Sequence, residues 1–277
     1  MLSTTDHRRD YSGFRYVYPV VSRRAGGVSV GINLNPNNAC NWACIYCQVP
    51  DLTRGGPPPI DLELLQTELQ TLLTDIVRGT FLQEHVAEDS RRLMDIAFSG
   101  NGEPTSADEF PAAVDLVVAL MRQLDLLPDL KLRLITNGSL MHREGVQTGI
   151  RAIGAAGGEV WFKVDRGTED GIERVNGIRL APARTLANLE TCAALADTWV
   201  QTCWFGIDGS PPSAAEERAY LDLITPVAQK IKGVHLYGLA RPSLQPDAAR
   251  LQRLPAEALE RLAGLLAGRG IAASVSP

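Results

Sequence analysis

VSVGINLNPNNACNWACIYC (28–47) joins an apolar run to three closely spaced cysteines. The run 28–35 is rich in Val, Ile and Leu, which suits a strand buried on both faces of a parallel sheet. Cys40, Cys44 and Cys47 then fall within eight residues, while the other 230 residues after them carry only Cys192 and Cys203. A strand that ends in a loop carrying three thiols is the unit from which the rest of the chain can be read.

The same unit recurs without the cysteines. Leu62, Leu65, Leu69, Leu72, Leu73 and Ile76 return at helical spacing after the loop. Apolar runs at 95–99, 130–136, 159–165, 199–208 and 233–240 predict five further strands. Helices are expected over 108–124, 143–155, 181–195, 214–231 and 255–266, with a short terminal strand at 271–276. Six βα units imply parallel strands with right-handed crossovers, a pattern that a doubly wound sheet and a barrel both satisfy. Either way, chemistry collects at the C-terminal ends of strands. The unusual residues obey that rule: the cysteines follow the first strand, SGNGEPT (99–105) the second and TNGS (136–139) the third, while KVD (163–165) ends the fourth.

Composition narrows the function. The formal net charge of −5 gives no general reason to expect nucleic-acid binding. No stretch of about 18 apolar residues occurs, and the start has no apolar signal core, so a membrane is not expected and a cytoplasmic location is. Five cysteines, three of them clustered, argue for metal or catalysis over a disulfide scaffold. A closed structural zinc site needs four ligands, and no second knuckle exists here to complete one. On an iron–sulfur cluster, three thiolates leave one iron open to a small molecule.

Cys-x3-Cys-x2-Cys with an aromatic before the last cysteine resembles the signature of the radical S-adenosylmethionine (radical SAM) superfamily. That resemblance implies a [4Fe–4S] cluster on Cys40, Cys44 and Cys47, with SAM at the open iron and Tyr46 near its adenine. SGNGEPT resembles the glycine-rich element of the superfamily, making Gly100, Asn101, Gly102, Glu103 and Pro104 candidates for SAM binding; Thr136 and Asn137 join them at the rim. YPVVSRRAGGVSVGINLNP, FSGNGEPT, EVWFKVDRGTEDGIERVNGI, WVQTCWFGID and HLYGLARPS together resemble the radical SAM domain of the wybutosine-synthesis group, which has single-domain bacterial relatives. In the tRNA-modifying members a lysine is proposed to form a Schiff base.

Lys163 is therefore a candidate for SAM or substrate contact, against a structural pairing with Asp165 or Glu103. Lys163, Asp165 and Tyr237 are the candidate catalytic groups. Arg23, Arg24, His235, Arg241 and Asp208 are weighed as substrate or rim contacts, Asp51 and Arg54 as an ion pair ordering the cysteine loop, and Trp42 as a lid over it. Cys192 and Cys203 read as small buried hydrophobes.

The expected architecture is a partial (βα)6 TIM-like barrel in a single domain. It comprises an N-terminal segment 1–27, six βα units over 28–240, and a C-terminal helix and short strand over 241–277. The expected function is reductive cleavage of SAM to a 5′-deoxyadenosyl radical that takes hydrogen from an unidentified substrate, read as a small molecule. An external donor such as flavodoxin or ferredoxin would supply the electron. Two alternatives stand beside it, a tRNA- or peptide-modifying enzyme of the same kind and a non-catalytic iron–sulfur or zinc protein.

Overall fold

The computed structural model describes residue 2 and residues 11–22 and 26–277, so Arg23 and Arg24 lie outside the described residues. Its centre is one eight-stranded sheet whose spatial order follows chain order: β1 (Val17–Ser22), β2 (Gly27–Ile32), β3 (Leu93–Phe98), β4 (Lys131–Thr136), β5 (Glu159–Lys163), β6 (Asp197–Cys203), β7 (Gly233–Tyr237) and β8 (Ala273–Ser276). All neighbours from β2 onward pair in parallel. The crossovers carry α1 (Leu62–Arg78), α2 (Phe81–His85), α3 (Phe110–Gln123), α4 (Glu144–Ala155), α5 (Glu169–Asn176), α6 (Pro182–Ala193), α7 (Ala214–Ile224) and α8 (Ala256–Ala267). Right-handed crossovers between successive neighbours place the helices on one face of the sheet. Among the described residues β1 and β8 do not pair with each other, so the barrel is partial.

Four elements depart from expectation. The N-terminal segment contains β1, which pairs antiparallel with β2 from Val17↔Ile32 to Ser22↔Gly27. Helices α2 and α5 were not anticipated, although α5 carries its own signals. Thr168 caps its start by accepting from the Gly171 N–H, and Gly177 closes its end at φ +65°. The fifth predicted strand stops at Cys203. Beyond it, Gly206–Ile207 pairs with Leu251–Gln252 as a separate short ribbon.

The pleat divides each strand between two environments. Val28, Val30 and Ile32, Ile96 and Phe98, Leu132 and Leu134, Val160 and Phe162, Val200, Val234 and Leu236 are buried in one cluster with the apolar helix residues. Burial of each such side chain is worth about 1.5–3 kcal/mol, and this face supplies most of the driving force. The opposite, inner face is polar and aromatic. Arg133 pairs with both Asp95 and Glu159 and lies 5.0 Å over the Trp161 ring, while Ser29 donates to Asp95. His235 stacks on Trp199 at 4.4 Å and meets Trp161 at 4.7 Å. This plug fills the half of the interior away from the strand C-terminal ends and leaves the rim to other residues.

The chain enters the sheet under control of one carboxylate. Glu68 on α1 accepts from the backbone N–H of Arg15 (2.7 Å), Tyr16 (2.8 Å) and Val17 (3.2 Å). Replacing one of its oxygens by an amide would turn a donor toward donors. Glu68→Gln is expected to cost about 1–3 kcal/mol. The effect would be read as a lower urea midpoint with an unchanged slope.

Candidate functional site

The cysteine loop leaves β2 at the C-terminal end of the strands and is closed at its base by pairing of Ala39–Cys40 with Thr53–Arg54. None of the cysteines forms a disulfide; Cys40, Cys44 and Cys47 are partly exposed, whereas Cys192 and Cys203 are buried. Burial pushes the Cys40 thiol up to about 11 and that of Cys44 up to about 12, with Lys163 opposing both shifts. Cys47 acts electrostatically on both, which places the three thiols in one neighbourhood. Three free thiols in one loop are the donor set that a thiolate-bound iron–sulfur group takes. The side chains are not drawn together, however: among the described residues no three His, Cys, Asp or Glu form a metal-holding group.

The loop is fastened from two sides. Toward α5, the N–H of Ala43 donates to Asn176 O (3.0 Å) and that of Ile45 to Val175 O (2.9 Å). Toward the chain after β7, Ser243 Oγ donates to the carbonyls of Ile45 (2.7 Å) and Cys47 (3.2 Å), and Gln245 Nε2 to those of Cys47 (3.2 Å) and Val49 (2.7 Å). The Leu244 N–H also reaches Cys47 O. Neither Ser243 nor Gln245 was legible in the sequence, because their partners are backbone atoms some 200 residues away. Asp51 and Arg54 do not form the expected ion pair; Arg54 instead donates to Gly177 O (3.3 Å).

Next along the rim lies SGNGEPT. Asn33 Oδ1 accepts from the N–H of Asn101 and of Asn35, both at 3.0 Å, and Asn101 Nδ2 donates to Asn38 Oδ1 (2.6 Å). A Cβ on Gly100 would collide with Asn33, and one on Gly102 with the carbonyl of Ala39. Both glycines let this loop touch the cysteine loop. Glu103 is 2% exposed and has no cation partner among the described residues. Its Oε1 accepts from Thr105 N–H (3.1 Å), Thr105 Oγ1 (2.6 Å) and Thr136 Oγ1 (2.6 Å), and its Oε2 from the Asn137 N–H (2.7 Å). Pro104 begins the short turn Pro104–Ser106 that Glu103 caps. Asn137 Nδ2 continues to Asn41 Oδ1 (2.8 Å), inside the cysteine loop. The three rim motifs are thus one hydrogen-bonded belt.

Across the barrel mouth, Lys163, Asp165 and Tyr237 gather around Tyr46. Asp165 accepts from Tyr46 Oη (2.6 Å), Asn176 Nδ2 (2.8 Å) and the Cys203 N–H (2.8 Å). Lys163 Nζ lies 5.1 Å over the Tyr46 ring and donates to Tyr237 Oη (3.4 Å), with no carboxylate at ion-pair distance among the described residues. Burial by itself favours the neutral amine. The Asp165 carboxylate opposes it, as do Tyr237, Cys44 and Cys203 wherever they ionise, and the lysine pKa lies above its ordinary value.

Other residues around the site have other roles. Arg166 is buried, donating to the carbonyls of Asp165, Cys203 and Phe205 between the rings of Trp204 and Phe205. Asp208 binds Arg174 and Arg250 at the surface. His235 belongs to the aromatic plug. Trp42 is buried, and among the described residues its indole N–H has no hydrogen-bond partner, nor has Asn35 Oδ1 beside the Ala39 carbonyl that its amide holds.

No protein-family model matches the chain. Two curated proteins align with part of it. One is the GTPase Obg of Brachyspira hyodysenteriae, 28% identical over 136 residues, covering 47% of this chain and 16% of that protein. The other is the UPF0026 protein MJ1312 of Methanocaldococcus jannaschii, 31% identical over 150 residues, covering 53% of this chain and 39% of that one. The chain thus spans well under half the length of either relative. Among solved structures, a radical SAM methyltransferase from Sphaerobacter thermophilus superposes with a TM-score of 0.59 at 14% identity, over 94% of this chain and 68% of that one. An anSMEcpe chain with bound AdoMet gives 0.55 at 15% identity, over 88% and 62%. HydG, a maturase of the [FeFe]-hydrogenase, gives 0.53 at 11%, over 89% and 50%. The chain has the partial-barrel fold of radical SAM enzymes.

Burial, opposed by its four hydrogen bonds, raises the Glu103 pKa above its ordinary 4.5. A raised carboxylate contributes stability that is complete below pH 4.5 and lost as pH climbs through the folded value. The stability advantage of the native chain over Glu103→Gln is therefore expected to be largest below that pH and to shrink above it. Urea midpoints of both chains across a pH series would read the difference.

Proposed function

We propose that this protein is a radical SAM enzyme acting on a small-molecule substrate. One observation carries the reading: a Cys-x3-Cys-x2-Cys loop stands at the C-terminal end of the first parallel strand of a partial barrel, hydrogen-bonded to the belt that Glu103 organises. Cys40, Cys44 and Cys47 would hold a [4Fe–4S] cluster, their side chains turning toward one another as it loads. When bound, that group would supply the electron for reductive cleavage of SAM and hydrogen abstraction from the substrate.

The chain's own residues then bind and orient. Gly100, Asn101, Gly102, Glu103, Pro104, Thr136 and Asn137 form the rim wall beside the thiols, where SAM would lie. Within it, Glu103 holds Thr136 and Asn137 in place through its hydrogen bonds, so its role is to shape the wall. Tyr46 presents its ring face, its hydroxyl being committed to Asp165. Lys163 stays an ammonium and would bind an anionic group of SAM or substrate through charge, with Tyr237 beside it. The Schiff base proposed for a lysine of the tRNA-modifying members of the wybutosine-synthesis group is not part of this reading, which takes Lys163 as a contact to SAM or substrate. The resemblance to that group's single-domain bacterial relatives still rests on the motifs quoted above.

The tRNA-modifying alternative needs a basic face at the mouth. Of the arginines that could form one (Arg23, Arg24, Arg54, Arg166, Arg174 and Arg241), Arg166 is buried, Arg174 is paired with Asp208, and Arg23 and Arg24 lie outside the described residues. An external flavodoxin or ferredoxin would deliver the electron, and a reducing cytoplasm would keep the thiols available. No helix among the described residues is long and apolar enough to cross a membrane.

Anaerobic reconstitution with iron and sulfide, followed by dithionite and SAM, is expected to yield 5′-deoxyadenosine; its absence would sink the enzyme reading. Single Cys→Ala changes at 40, 44 or 47 should each abolish the product. Lys163→Gln should lower its rate at limiting SAM or substrate by roughly tenfold or more, the worth of a charge-assisted contact. Borohydride with a keto acid should trap no adduct on the native chain.

A further inference from the structure

We infer that Asn176 is a positioning residue for Cys44 that raises the reduction potential of the group held there. The inference rests on the reading of the three cysteines as cluster ligands and adds a residue outside the motif. Asn176 Nδ2 lies 3.3 Å from Cys44 Sγ and 2.8 Å from Asp165 Oδ2. An ionised carboxylate can only accept, so the group facing Asp165 must be the amide NH2 and not its oxygen. One N–H is then spent on Asp165, and the second points at the sulfur. Which way the amide is turned follows from its neighbour's chemistry.

The residue is held at both ends. Its carbonyl accepts from the Ala43 N–H (3.0 Å), one residue before Cys44. Gly177 follows at φ +65°, and a Cβ there would press on the Ala43 carbonyl. The end of α5 can reach the loop this closely only because that position is glycine. Asp165 is fixed in turn by Tyr46 Oη and the Cys203 N–H, so three elements converge to aim one amide hydrogen at one sulfur. The only other N–H reaching a ligand thiol among the described residues is that of Trp42, at 3.4 Å from Cys40 Sγ. Hydrogen bonds to cysteine sulfur stabilise the more negative, reduced state of an iron–sulfur cluster and move its potential upward.

The test compares the native chain with Asn176→Leu, which keeps the branched shape and removes the donor. Both are reconstituted anaerobically with iron and sulfide, and their potentials are followed by electron paramagnetic resonance during a redox titration. The potential of Asn176→Leu is expected to shift to a more negative value at equal iron content. An unchanged potential in a folded, fully loaded variant overturns the inference. A second measurement needs no variant: with asparagine labelled by 15N only at the side-chain amide, the reduced native protein should show coupling from that nitrogen to the electron spin. Absence of the coupling overturns the inference, even if Asn176→Leu fails to load. A native chain that takes up no cluster at all overturns the radical SAM reading instead, so the two failures are distinct.

Discussion

The Asp165 carboxylate receives a phenol hydrogen from the cysteine loop, an amide hydrogen from the end of α5 and a backbone hydrogen from β6. A buried carboxylate left with fewer donors would be costly, so each contact makes the other two necessary. Tyr46 cannot swing away without stranding the charge, and Asn176 cannot turn its amide. Through this one group the thiol loop, an otherwise exposed excursion of more than a dozen residues, is registered against the barrel interior. Arg166 next door satisfies carbonyls instead of Asp165 itself, which leaves the carboxylate free to act as an acceptor hub.

A second hub, Glu103, performs the same task on the opposite side with four neutral donors. The cysteine loop is thus held between two buried carboxylates, one on the β3 side and one on the β5 side, and strapped from outside by Ser243 and Gln245. A rim built this way is ordered before any ligand arrives, which lowers the entropic cost of binding. Lys163 sits near this framework. Its ammonium donates to the Tyr237 hydroxyl and lies over the Tyr46 ring face.

Much of the architecture was legible. Each predicted βα unit is present because alternating apolar positions and helical spacing both come from burial against one shared layer, and burial is written directly in side-chain type. The misses have specific causes. β1 contains Tyr18 and Pro19 and pairs antiparallel at an edge, so it lacks the continuous aliphatic run of the central strands. α5 is short and strongly charged, and only its caps, Thr168 and Gly177, announced it. In the site, the residue types and their rim location were readable, while the partners were not. Asp165 stood out as the end of a strand, but nothing in EVWFKVD says that it meets Tyr46.

What the sequence alone determined is the chemistry that can be present: three thiols in one loop, a glycine-rich turn on the next strand, and a parallel order that brings both to the same rim. Those follow from side-chain type and chain connectivity, which are local properties. Tertiary structure decided the assignments within that chemistry. It placed Gly100 and Gly102 against the neighbouring loop, committed the Tyr46 hydroxyl, kept Lys163 charged and brought Asn176 to Cys44. Each depends on a distance between residues far apart in the chain, and hydrogen bonding and desolvation change steeply over a single ångström while the sequence carries no record of separation in space.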